Sequence, residues 1–189
     1  MIIDNFLSDE DYLKVKKAVF SPSLAWLYGD KVSYGDFPHG ITDPMAIETF
    51  GFNRDIYNAE NQYSDADALE FMSPVIKRIV EINGPQTQIT RIRFSMKFYK
   101  HGFKDGNYNL PHVDYGYPHK SLIMYMNETD GDTYIFNEVY NGQLKTTFTV
   151  KERIPPKENR AVIIDGFQYH TASNPLQHDV RLIININYV

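Results

Sequence analysis

Pro111-His112-Val113-Asp114 carries two metal-ligand side chains two residues apart. In an extended chain, side chains at i and i+2 project from one face. An imidazole nitrogen and a carboxylate oxygen can then reach one point in space from one short segment. Two such ligands hold a divalent cation poorly, so a third must come from elsewhere. Of the six histidines, His170 stands out, because it follows the apolar run Ala161-Val162-Ile163-Ile164 and the turn Asp165-Gly166-Phe167. Arg181 comes eleven residues later, at the start of the last apolar alternation. Two imidazoles and a carboxylate on one side of a metal leave positions open for a chelating co-substrate and O₂. A guanidinium just beyond them suits a carboxylate bidentately. The order His112, Asp114, His170, Arg181 therefore suggests a metal with a dicarboxylate co-substrate.

Each residue also has a plainer role open to it. His112 and Asp114 fit a polar loop, His170 a core histidine, and Arg181 a pair with Asp179 or Glu128. His119, five residues after Asp114, is the rival ligand, but Pro118 and Lys120 beside it indicate an exposed turn. His39, His101 and His178 read as surface residues.

Composition narrows the setting. The chain has 189 residues, 42% hydrophobic and 14% aromatic, enough for one domain with a real core. A net charge of −5 gives no electrostatic case for nonspecific nucleic-acid or membrane binding. There are no cysteines, which excludes thiolate ligands and disulfides. Met1-Ile-Ile-Asp-Asn-Phe6 has neither a basic segment nor a long apolar run, and no stretch of about 18 apolar residues could span a bilayer. The expectation is a soluble, cytoplasmic protein without a signal peptide.

The elements that must position these residues follow in order. Residues 8–20 predict a helix capped by Ser8, with Tyr12, Val15, Val19 and Phe20 on its apolar stripe. Leu24–Tyr28 fits a short strand. Residues 29–63 mix Gly, Pro, Asp and Asn with aperiodic aromatics (Tyr34, Phe37, Phe50, Phe52, Tyr57, Tyr63). They read as long ordered loops covering the substrate side. Residues 64–82 predict a second helix, capped by Ser64 and kinked or split at Pro74. In 91–99 the even positions are apolar and the odd ones polar or amphipathic, which predicts a strand. Further strands are expected near 111–114, 121–126, 132–137, 144–150, 161–165 and 180–188, with Asn141-Gly142 as a hairpin turn. Residues 151–160, of mixed charge, read as a solvated loop. Two helices followed by about eight strands make an α+β, mainly β pattern, with the helices packed on one sheet of a jelly roll. We expect a single domain, 1–85 its helical part with long loops and 86–189 its jelly-roll core. In the last strand, Arg181, Ile183 and Asn185 should point inward, where an arginine needs an anion or many acceptors.

Taken together, these motifs resemble the Fe(II)/2-oxoglutarate-dependent dioxygenases, in particular their prolyl-4-hydroxylase-like branch. The resemblance covers residues 90–189, and the two helices also suit that family's double-stranded β-helix. It implies His112, Asp114 and His170 as iron ligands and Arg181 as the partner of the far carboxylate of 2-oxoglutarate. Phe98-Tyr99-Lys-His-Gly102 and Ile123-Met-Tyr-Met-Asn127 resemble segments whose tyrosines contact that co-substrate, which implies Tyr99 and Tyr125. Gly131-Asp-Thr-Tyr-Ile-Phe136 resembles the facing strand, with Thr133 towards the pocket. The chain departs from the pattern at Ile183, where many relatives have Ser or Thr, and in a slightly longer gap from His170 to Arg181. The implied cofactors are Fe(II), 2-oxoglutarate and O₂, and L-ascorbic acid belongs to the same expectation. The implied reaction is hydroxylation of a C–H bond coupled to decarboxylation to succinate, on a prolyl residue of a peptide or protein or on a small molecule. Two other readings stay open: a cupin-like metalloenzyme that does not use 2-oxoglutarate, and a non-catalytic jelly-roll binding module.

Overall fold

The computed structural model describes residues 1–31 and 40–189. Helix α1 spans Asp9–Val19. The Ser8 hydroxyl accepts from the Asp11 N–H at 3.2 Å, and three acidic residues in the first turn complement the helix dipole. Helix α2 spans Ala66–Asn83. Its cap is Asp65 rather than Ser64. The Asp65 carboxylate accepts from the Ala68 N–H at 3.1 Å and also pairs with Arg54, two roles a serine hydroxyl cannot combine. Pro74 does not split α2. Met72, Val75 and Ile79 on either side of it are fully buried, and that packing offsets the backbone bond the proline removes.

Eleven strands follow the order β1 (Ile2–Ile3), β2 (Leu27–Gly29), β3 (Gly51–Asn58), β4 (Tyr63–Ser64), β5 (Ile89–Phe98), β6 (Lys120–Tyr125), β7 (Thr133–Val139), β8 (Val150–Ile154), β9 (Ala161–Asp165), β10 (Gln168–Ala172) and β11 (Val180–Tyr188). The larger sheet runs β1-β9-β6-β11-β5-β3-β2, with β4 on β3, and the smaller runs β10-β7-β8. Every described pairing between named strands is antiparallel.

Period-two alternation decides which face each side chain takes. On one face of the larger sheet, Leu182, Ile184 and Ile186 of β11 join Ile92 and Phe94 of β5 against Val15, Met72 and Ile79 of the helices. Each such buried aliphatic side chain contributes about 1.5–3 kcal/mol. On the other face, Ile123, Tyr125, Val162, Ile164 and Ile183 meet Ile135 and Ile154 of the smaller sheet. The chain is thus mostly β, two antiparallel sheets face to face with two helices on the outer face of the larger one. Among the described residues no helix is long and apolar enough to cross a membrane.

Several local expectations are corrected. Residues 51–58 form a full strand, not a loop. Their alternation is hidden in the sequence because both faces carry polar residues, Asn53 and Asp55 on one and Arg54 on the other, held by pairing with β5. Tyr34, Phe37 and His39 lie outside the described residues. Phe50 and Phe52 gather round Phe98 and Tyr28; Phe52 pairs with Met96, on the face away from the cavity-lining Asn53. Between β7 and β8 the strand expected at 144–150 gives way to a ten-residue connection, 140–149, so Asn141-Gly142 is not a tight hairpin. The 151–160 loop begins as β8. Residues 111–114 form no strand; His112 makes a single antiparallel bridge to His170.

Candidate metal centre

That bridge builds the site. The His112 N–H donates to the His170 carbonyl and the His170 N–H to the His112 carbonyl, each at 3.0 Å. The paired backbones set the two imidazoles side by side, ring centres 5.0 Å apart. Each Nδ1 faces a carbonyl two residues upstream, Leu110 O at 3.1 Å and Gln168 O at 3.0 Å. A carbonyl can only accept, so Nδ1 carries the proton and Nε2 keeps its lone pair for a metal. Asp114 completes the group: one Oδ2 lies 3.9 Å from His170 Nε2, and ligand atoms of all three residues lie within 4.8 Å of one another. The donor set, two imidazole nitrogens and a carboxylate, suits a divalent transition metal with open positions.

The carboxylate is held from behind. Arg91 donates to Asp114 Oδ1 at 2.9 Å, and Ser121 and Asn187 donate to Oδ2 at 2.7 and 2.8 Å. Burial alone would raise the Asp114 carboxyl; Arg91, the two imidazoles and Asn187 outweigh it and keep the group well below the ordinary carboxylate range. Burial, reinforced by His170, pushes His112 down to about 4, so its ring is neutral at pH 7. His112 and Asp114 are therefore ready for a cation without losing a proton.

A cavity of about 80 Å³ runs from these ligands to Arg181, along Ile183 and Asn185. Arg181 is buried at 1% exposure. Its Nε donates to Gly131 O at 2.5 Å and its Nη2 to Thr133 Oγ1 at 2.8 Å, while Nη1 has no partner among the described residues. Among the described residues no carboxylate forms an ion pair with Arg181, Asp179 and Glu128 included. A Cβ on Gly131 would lie 2.7 Å from Arg181 Cδ, so the glycine is what lets the side chain pass.

The remaining candidates fall unevenly. Thr133 lines the cavity. Tyr125 stands behind it, donating to Thr133 Oγ1 at 2.7 Å with its ring 5.4 Å from the Arg181 guanidinium. Thr133 accepts from both neighbours, which leaves its own hydroxyl proton free to donate. Tyr99 is placed otherwise. β5 ends at Phe98, and Tyr99 beyond it is 51% exposed and absent from the cavity wall. The odd face of β5 does reach the cavity, but through Lys97, which is buried at 4% with no hydrogen-bond partner on its Nζ among the described residues. Burial, with the Arg181 charge adding, drives the Lys97 ammonium well below its ordinary range. Arg91, Lys97, Ser121, Asn187 and Asn53 escaped the sequence reading as site residues. Lys97 carried one usable signal, its place on the same odd face as Arg91, Arg93 and Ser95. His119 is buried, not exposed: its Nδ1 meets Tyr117 O at 2.8 Å and its ring packs tightly on Gly166. It takes no part in the metal-ligand group. His178 bonds Asp130, and His101 is exposed.

No family model and no curated protein matches the chain. Solved structures do. An oxidoreductase of the 2OG-Fe(II) oxygenase family from Burkholderia pseudomallei aligns over 100% of this chain and 84% of its own, with a TM-score of 0.64 at 9% identity. A prolyl hydroxylase from Trichoplax adhaerens, solved with a hypoxia inducible factor peptide fragment, aligns over 100% and 82%, with a TM-score of 0.58 at 17% identity. The epimerase SnoN from nogalamycin biosynthesis, solved with Fe3+ and alpha ketoglutarate, aligns over 100% and 78%, with a TM-score of 0.59 at 11% identity. At these identities the likeness defines a class of fold: this chain folds as 2OG-Fe(II) oxygenases do.

Proposed function

We propose that this protein is an Fe(II)- and 2-oxoglutarate-dependent oxygenase that hydroxylates a C–H bond. The observation that carries the reading is the pairing of His112, Asp114 and His170 at one end of a cavity with an unpaired, buried Arg181 at the other. The two sheets are the halves of a double-stranded β-helix, and residues 1–85 and 86–189 act as one unit, since Asn53 and Arg181 line the same cavity. When bound, iron and 2-oxoglutarate supply O₂ activation coupled to oxidative decarboxylation. The chain's own residues do the rest. His112, Asp114 and His170 would hold the metal. Arg91, Ser121 and Asn187 fix the carboxylate rotamer. Arg181 and Thr133 would take the far carboxylate of 2-oxoglutarate, with Tyr125 bracing both.

A prolyl residue of a peptide or protein is the substrate we favour, supported by the fold shared with a prolyl hydroxylase that binds a peptide. Small-molecule enzymes share the fold too, so substrate class rests on the site's contents. The test is anaerobic titration with Fe(II) and 2-oxoglutarate, following the weak visible charge-transfer band. Wild type should develop the band, and His112→Ala and Arg181→Ala should lose or weaken it. No band in wild type, or an undiminished one in both variants, overturns the reading. Succinate release with proline-containing peptides then tests the substrate.

A further inference from the structure

Lys97 has no assigned role, and its surroundings define one. It lies opposite Arg181 in the β5–β11 register. Directly opposed side chains of an antiparallel pair share a face, their Cβ atoms about 4.5–5.5 Å apart. Both line the metal cavity. Both are buried, at 4% and 1% exposure, and each has a donor nitrogen without a partner among the described residues, Lys97 Nζ and Arg181 Nη1. The other cavity cations each have a carboxylate partner: Arg91 pairs with Asp114, and Arg93 with Asp55 through two hydrogen bonds at 2.6 and 3.0 Å. Two basic groups opposed in this way repel, and buried donors left unmade are costly. One small anion between them relieves both penalties. A carboxylate has two oxygens, one for each free donor.

We infer that Lys97 and Arg181 form a single carboxylate-binding pair, with Lys97 a specificity-determining residue that demands a charged far end on the co-substrate. This rests on the oxygenase reading for the source of the carboxylate, but not for the existence of the pair. A carboxylate could come from 2-oxoglutarate or from an acidic primary substrate; on the oxygenase reading it is that of 2-oxoglutarate, and the two oxo acids compared below distinguish the sources.

Two measurements test the inference. In metal-free protein, succinate should raise the thermal midpoint of wild type. Lys97→Met should melt higher than wild type without ligand, by about 2–4 °C, and should lose the succinate response. In anaerobic, Mn(II)-loaded protein, calorimetry should show 2-oxoglutarate binding about 10- to 100-fold weaker in Lys97→Met. Binding of 2-oxopentanoate, the same length without the far carboxylate, should not change. Lys97→Gln should repeat the affinity loss, which guards against a folding defect in the methionine variant. Wild-type affinity for 2-oxoglutarate in both variants, equal weakening of the two oxo acids, or no succinate response in wild type each overturns the pair. A succinate response in wild type without 2-oxoglutarate binding in the Mn(II) protein would keep the pair and overturn the oxygenase reading.

Discussion

Arg91→Met removes the cation behind the metal-binding carboxylate and leaves a cavity-facing anion with less support. The two side chains are 11% and 6% exposed and meet at 2.9 Å. Breaking a buried pair by removing one partner costs about 3–5 kcal/mol. Ser121 and Asn187 still donate to Asp114 Oδ2, which places the cost near the lower end, about 3 kcal/mol. With a urea m-value of about 2 kcal/mol/M, the midpoint should fall by roughly 1.5 M in metal-free protein at pH 7. The pH dependence has a definite sign. Asp114 titrates below its ordinary value of 3.8 in the folded state, so its contribution is complete above that value and is lost as pH falls through the folded one. The deficit of Arg91→Met should therefore be largest at neutral pH and shrink in acid, as the carboxyl becomes neutral in both proteins. Adding Asp114→Asn should recover much of the loss, since the double variant has no stranded charge. A deficit under about 1 kcal/mol at pH 7, or one that grows as pH falls, would refute the assignment of Arg91 as the electrostatic support of Asp114.

Three further outcomes are expected. Asp65→Ala should lower stability by about 1–2 kcal/mol through loss of the α2 cap, while Ser64→Ala should stay within about 0.5 kcal/mol; urea unfolding distinguishes them. Gly131→Ala puts a methyl 2.7 Å from Arg181 Cδ and 2.9 Å from the Ser173 carbonyl. It should cost about 1–3 kcal/mol and weaken 2-oxoglutarate binding by calorimetry, because Arg181 must move. Tyr99→Phe should leave that affinity unchanged, in keeping with its exposed position, whereas Thr133→Val should reduce it by removing the hydroxyl that accepts from Arg181.

Much of the fold was legible because its cues are local. The alternations in 91–98 and 180–188 assign side chains to faces without reference to the rest of the chain, and they placed Leu182, Ile184 and Ile186 on the helices and Arg181 in the interior. Charged first turns marked both helices. The segment 51–58 was not legible, because its polar residues on both faces are made acceptable only by partners such as Arg93, distant in sequence. Tyr99, expected at the co-substrate from the resemblance alone, lies one residue beyond the end of β5, where period two no longer sets the face a side chain takes.

By itself the sequence determined the chemistry on offer, two imidazoles, a carboxylate and a guanidinium in a chain without thiols, and the face each strand residue takes. Only the tertiary structure decided which of these groups meet. Alternation is a property of one strand, but register is a property of two. The β5–β11 register sets Lys97 against Arg181, the single bridge between residues 112 and 170 aligns the imidazoles, and the fold brings Arg91 to Asp114 while burying His119 outside the metal-ligand group.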